Sequence, residues 1–277
     1  MVHNDLKQTI RSYSRRNLEE RKNWYSPAAE AYNQTRPIYP QDLITQVINL
    51  AQLSCNSKIL EVGCGPATAT TSFVQLGSPM VCLEPNTDFF HLAQQKCQPY
   101  PHVELLNTSF EEWMLEVDSF DAVLAATSFH WIPPEIGYPK AAKALRENGY
   151  LILLWNKELQ PSYQVNKSLY PVYEVHAPSL CDRYENRETQ ERILQGLGQI
   201  VVDSGLFKNL RSGQIESQVT YGADEYVTLL NTYSPYLQLD RSNREALFEK
   251  LRDKIERDFD GSLRLSYVSA FHLAQKS

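Results

Sequence analysis

Between about residue 40 and residue 156, short apolar runs alternate with stretches of helical periodicity. Ile59–Val62, a short run ending at Glu84, Val103–Leu106, Phe120–Ala126 and Tyr150–Trp155 read as strands. The fourth is almost wholly apolar, as a central parallel strand buried on both faces should be. Pro40 opens a helix with Leu43, Val47, Ile48 and Leu50 on one side. Further helices are expected over Ala67–Leu76, Pro85–Lys96 and Lys140–Arg146. Five strand–helix repeats joined by short loops predict an α/β domain with a doubly wound sheet.

Outside that core the pattern loosens. Residues 1–22 hold six basic and three acidic residues and read as a polar tail or a solvated helix. Residues 23–56 carry Pro27, Pro37 and Pro40, so a short helix with Ala28, Ala31 and Tyr32 should leave by an extended segment. Residues 157–206 begin with Tyr163, Tyr170, Tyr173 and Tyr184 in an aperiodic stretch, read as a cap inserted after the fifth strand, and continue into a helix over Arg187–Gly205. Residues 207–277 predict a strand over Leu210–Tyr221, helices over Asp224–Tyr233 and Arg241–Phe259, and a last strand over Leu263–Leu273.

Composition narrows the partners. At 277 residues the chain can bury a large core without a metal or disulfide. A net charge of −6 argues against an extended phosphate-binding surface, hence against nucleic acid. The five cysteines show no zinc-type or CxxC spacing, and no metal site is expected. The N-terminus has no apolar h-region and no run approaches membrane length, so the expected setting is a reducing cytoplasm without membrane contact. Nothing fixes the oligomeric state.

The densest chemistry lies at Glu61-Val-Gly-Cys-Gly65. Gly63 and Gly65 permit a sharp turn and close approach of a ligand to the backbone. Pro66 suits the first turn of a helix. Glu84, 19 residues past Gly65, ends the second strand, where a carboxylate can accept both hydroxyls of a ribose. A dinucleotide fingerprint would want glycine where Thr68 stands. Glu61 would repel a pyrophosphate but attract an ammonium and a sulfonium, so charge favours S-adenosylmethionine (SAM) over NAD.

These motifs resemble the cofactor motifs of class I SAM-dependent methyltransferases, with Ala67 in place of the usual third glycine. Tyr32, Arg36-Pro37 and Tyr39-Pro40 resemble the Y…RPxYP lid of small-molecule members, including those similar to trans-aconitate methyltransferase. The resemblance implies a Rossmann-like, seven-stranded, mostly parallel sheet with an antiparallel terminal pair and an N-terminal helical lid. It implies that Arg36, Glu61, Gly63, Gly65, Glu84, Pro85, Ser109, Phe110 and Ala126 contact SAM. Tyr32, Tyr39, His130, Trp131 and Asn156 would face a small-molecule acceptor, and Arg36 suits a carboxylate on either ligand.

Methyl transfer from a sulfonium is an in-line displacement that chiefly needs alignment in a dry pocket. A hydroxyl or ammonium acceptor must also lose a proton; a carboxylate need not. His130, at the mouth of the fourth strand, fits three roles: general base, positioning donor or packed loop residue. Two other functions compete with a transferase. An NAD(P)-dependent oxidoreductase is disfavoured by Thr68 and Glu61, and a non-catalytic methyltransferase-like binder shares every motif.

Overall fold

The computed structural model describes Leu6 and residues 10–277. Five strands run parallel: β1 (Ile59–Val62), β2 (Met80–Leu83), β3 (Val103–Leu106), β4 (Phe120–Ala126) and β5 (Leu145–Asn156). The two-residue β6 (Gln160–Pro161), β7 (Phe207–Gly222) and β8 (Ser262–Lys276) complete one sheet. Its order is β3-β2-β1-β4-β5-β8-β6, with β7 also on β8, and β8 runs antiparallel to all three of its neighbours. Seven strands are those expected; β6 is a short addition. The order reverses between β1 and β4, which places a crevice beyond their carboxyl ends.

Alternation along the strands sorts side chains onto two faces. Leu60, Val62, Val81 and Leu83 face one core with Tyr138 and Ala141. Ile59, Met80, Cys82, Leu124 and Ile152 face the other, with Leu43, Ile44, Val47, Phe73 and Ala93 from helices. A third cluster, holding Leu169, Tyr173, Tyr226, Leu229, Leu251 and Ile255, lies apart from both.

The helix after the glycine turn begins at Thr70, not at Ala67. Gly63, Gly65 and Ala67 all have left-handed φ (+66°, +57° and +62°), so the chain cannot enter a right-handed helix until after them. The cap also divides differently from the sequence expectation. The stretch read as aperiodic contains a helix, Tyr163–His176, which joins the third cluster with Ala223–Leu230 and Arg241–Asp258. The helix Arg187–Asp203 instead lays Leu194, Leu197, Ile200 and Val201 on the sheet core.

A second departure concerns the N-terminus. Residues 1–5 and 7–9 lie outside the described residues. Beyond them the segment is not a tail: Ile10 is buried in the sheet core, and α1 (Leu18–Asn23) is fastened down by Arg21. Arg21 and Lys22 of this segment pair with Glu111 and Glu112, which composition alone does not reveal. Among the described residues no helix is long and apolar enough to cross a membrane, and no group of three or more His, Cys, Asp or Glu side chains could hold a metal.

Candidate cofactor and acceptor site

The crevice holds a cavity of about 320 Å³, within the range of small-molecule sites. At its base the glycine turn and the end of β2 are built as one unit. Gly63 is obligatory twice over, by its φ of +66° and because a Cβ there would stand 2.8 Å from that of Ser128. At Gly65 a Cβ would meet nothing within 4 Å, so the backbone there opens onto the cavity. The Gly65 N–H donates to Glu84 Oε2 at 2.7 Å, and the Asn86 N–H donates to Oε1 at 2.8 Å. Each carboxylate oxygen keeps a further lone pair for an outside donor. Burial raises the Glu84 pKa to about 7, against the pull of these two amides.

Glu61 departs from expectation. On β1 it alternates onto the face opposite Leu60 and Val62, is fully buried and does not line the cavity. Its Oε2 accepts from the Thr70 hydroxyl at 2.6 Å and the Cys82 thiol at 3.7 Å, while Oε1 has no partner among the described residues. Burial raises its pKa to about 7, with smaller lowering contributions from Thr70 and Cys82. It braces the turn from beneath instead of meeting a ligand's charge. Ala67 is also turned away: its methyl is buried in the helix-side core and absent from the cavity wall.

The other residues singled out in the sequence all line the cavity. Pro85, Ser109, Phe110 and Ala126 flank Glu84, with Ser109 donating to Glu112 Oε2 at 2.8 Å and Phe110 stacked on Trp113. From the lid, the Arg36 guanidinium sits between the Tyr32 and Tyr233 rings, 4.8 and 4.0 Å from their centroids. Its Nε and Nη2 donate to Thr232 Oγ1 and O at 2.8 Å each, and it has no carboxylate partner among the described residues. Tyr39 and Asn156 are more committed. The Tyr39 phenol lies 2.7 Å from Thr127 Oγ1, and Asn156 donates to the Pro37 carbonyl and accepts from Ser269.

His130 and Trp131 lie on a single 3₁₀ turn just past β4. The His130 ring contacts Tyr13, Trp131 and Trp155, and its Nδ1 is buried without a partner among the described residues. Burial, helped by Lys157, lowers its pKa to about 4, so the imidazole is neutral at physiological pH.

Several cavity residues escaped the sequence reading. Tyr13, Arg21 and Lys22 belong to the presumed tail. Arg21 Nη1 donates to the Trp131 carbonyl at 2.7 Å and pairs with Glu111. Asn86 caps the helix Thr87–Cys97 and donates to the Lys22 carbonyl at 2.7 Å and Ser26 Oγ at 2.8 Å. Tyr233 and Ser234 reach in from the stretch after the helix Ala223–Leu230, Ser234 meeting Trp24 and Tyr25. The one available signal was aromatic and basic residues at helical spacing within 10–25, a pattern that composition averages away.

Residues 60–153 match the family described as "Methyltransferase domain". An uncharacterized methyltransferase of Mycobacterium tuberculosis is 33% identical over 132 residues, covering 48% of this chain and 51% of that protein. The chain therefore spans about half the length of the curated relatives it matches. Among solved structures, a type II methyltransferase candidate from Anaeromyxobacter dehalogenans superposes with a TM-score of 0.63 at 16% identity, covering 87% of this chain and 97% of that one. A Haemonchus contortus phosphoethanolamine N-methyltransferase, solved with S-adenosylhomocysteine, gives 0.53 at 13% identity, covering 93% and 58%. At these identities the likeness to solved structures is one of fold.

Proposed function

We propose that this chain, which carries a methyltransferase domain of the class I SAM-dependent kind, transfers a methyl group to a small carboxylate-bearing or aromatic acceptor. The observation that carries this reading is one cavity with two unlike kinds of lining. The open glycine turn and the Glu84 carboxyl supply one. Aromatic rings around Arg36, a cation with no carboxylate partner among the described residues, supply the other.

The residues present fit SAM. Glu84 has lone pairs left for two ribose hydroxyls, Gly65 admits close approach, and Arg36 keeps N–H groups uncommitted for a carboxylate. SAM, when bound, supplies an activated methyl on a good leaving group. The chain's own work is alignment and exclusion of water. Tyr32, Tyr25, Phe89 and Trp131 pack edge to face over the cavity and restrict solvent. His130, being neutral, offers a hydrogen bond to the acceptor without adding charge. Its weak basicity suits an acceptor that needs no proton removed, such as a carboxylate.

Thermal-shift titration with S-adenosylhomocysteine (SAH) and with NADH tests the cofactor. Stabilisation of about 2.7 kcal/mol is expected at one hundred times Kd for SAH, and none with NADH. The opposite pattern would overturn the reading. Labelled SAM offered with a panel of small acids and phenols then tests transfer, and binding without transfer to any of them would favour the non-catalytic alternative.

A further inference from the structure

Thr127 is the residue at which the chain leaves β4, and its backbone stands at φ +54°. In that region Cβ presses on the following carbonyl, and a β-branched side chain makes the conformation rarer still. The other non-glycine residues with positive φ are Ala67 and five Asn, Asp or Gln residues; Thr127 alone is β-branched among those described. Asparagine or glycine would adopt this turn more readily, so the presence of threonine directs attention to its hydroxyl.

That hydroxyl is a junction. Thr127 Oγ1 lies 2.7 Å from the Tyr39 phenol oxygen and accepts the backbone N–H of Asn156 at 3.2 Å. Asn156 Nδ2 donates to the Pro37 carbonyl at 3.1 Å, and its Oδ1 accepts from Ser269 at 2.6 Å. One side-chain oxygen thus joins the lid segment 36–39 to the ends of β4 and β5 and, through Asn156, to β8. The other end of that segment is held by Arg36 on Thr232, just past the helix Ala223–Leu230.

We infer that Thr127 is a positioning residue: its hydroxyl fastens the Arg36–Tyr39 segment to the strand ends and so presets Arg36 and Tyr39 for the ligand. The inference rests on the reading of the cavity as a SAM site. It separates two properties that usually travel together. Valine in place of Thr127 keeps the shape and the strain but leaves Tyr39 and the Asn156 amide without their partner. Glycine relieves the strain and also removes the hydroxyl. Serine keeps the hydroxyl.

Calorimetric SAH binding to Thr127→Val, Thr127→Gly, Thr127→Ser and Tyr39→Phe, below each variant's Tm, provides the test. Loss of two hydrogen bonds predicts Kd raised about tenfold in the valine and glycine variants. The serine variant should stay within about twofold of wild type. Tyr39→Phe combined with Thr127→Val should bind no worse than Thr127→Val alone, because the two share one interaction. Affinity that follows Tm across the series, or a serine variant as weak as valine, would leave Thr127 a purely structural residue. Equal SAH affinity in all variants would sink the fastening role alone, whereas no SAH binding by wild type would sink the cofactor reading beneath it.

Discussion

At neutral pH His130 is an uncharged imidazole, because burial and the nearby Lys157 hold its pKa near 4. Its ring lines the cavity from the turn just past β4 and makes no hydrogen bond with the glycine turn or Glu84. His130→Ala should therefore leave SAH affinity within about twofold and lower turnover about tenfold, the worth of one lost positioning hydrogen bond. The ratio of wild-type to His130→Ala rates should show no inflection near pH 6.5, which sets aside the Glu84 titration common to both; an inflection there would mean that the imidazole is solvated during turnover. Ala67 carries a different expectation. Its φ of +62° costs about 1–2 kcal/mol for an L-residue. Glycine would remove that cost but forfeit a buried methyl, worth about 0.8 kcal/mol, and gain unfolded-state freedom worth about 0.4–1 kcal/mol. These terms nearly cancel, so Ala67→Gly should lie within about 0.5 kcal/mol of wild type by denaturant unfolding. The balance explains how alanine can stand where glycine is usual: its methyl points into the core and leaves the cavity wall untouched.

At the scale of elements, α1 is the part whose removal would be felt by the ligand. Arg21 joins it both to the loop after β3, through Glu111, and to the turn carrying His130, through the Trp131 carbonyl. Both partners of the ion pair are largely buried, at 10% and 13% side-chain exposure, so breaking it strands a carboxylate. Arg21→Ala is expected to destabilise the protein by about 1–3 kcal/mol, the cost of the stranded, partly solvated acceptors, and to speed SAH dissociation about tenfold by freeing the lid. Arg21→Lys should fall between, keeping the charge but losing the Nε–H that donates to the Arg16 carbonyl. Stopped-flow displacement measures the rate, and an unchanged rate in the alanine variant would show that α1 does not gate the site. Sequence made the parallel strands visible because each is a short apolar run with turns at both ends; β3 and β4 fall on the expected residues. It also brought out Gly63, Gly65 and Glu84, whose spacing the backbone turn dictates. It could not show which way Glu61 points, since one residue of register decides between crevice and core. Nor could it show α1, whose basic residues make specific contacts that look from composition like solvation. The helix Tyr163–His176 was hidden by its tyrosines and by Pro171 inside it.

Across the whole molecule, four buried titratable groups set opposing dependences of stability on pH. Burial raises Glu61 and Glu84 from 4.5 to about 7, so the folded state holds protons that the unfolded chain has released. Their cost is absent below pH 4.5, grows as pH rises and is complete above about 7. Burial lowers His130 and His272 from 6.5 to about 4, so here the unfolded chain binds the extra protons. That cost is absent above pH 6.5 and grows as pH falls towards 4. Two groups of each kind, displaced by similar amounts, nearly cancel between pH 4.5 and 6.5. Glu61→Gln removes one carboxyl from this balance while keeping an oxygen to accept from Thr70. Each tenfold change in proton affinity is worth about 1.4 kcal/mol, so the variant should gain stability relative to wild type by roughly 3 kcal/mol between pH 4.5 and pH 7. The amide adds donors in a buried place, a constant offset that leaves this slope untouched. Urea unfolding of both proteins at pH 4.5, 5.5, 6.5 and 7.5 reads the slope directly. Parallel curves would mean that Glu61 is ionised in the folded protein well below pH 7, and that the glycine turn rests on a charged carboxylate instead of a protonated one.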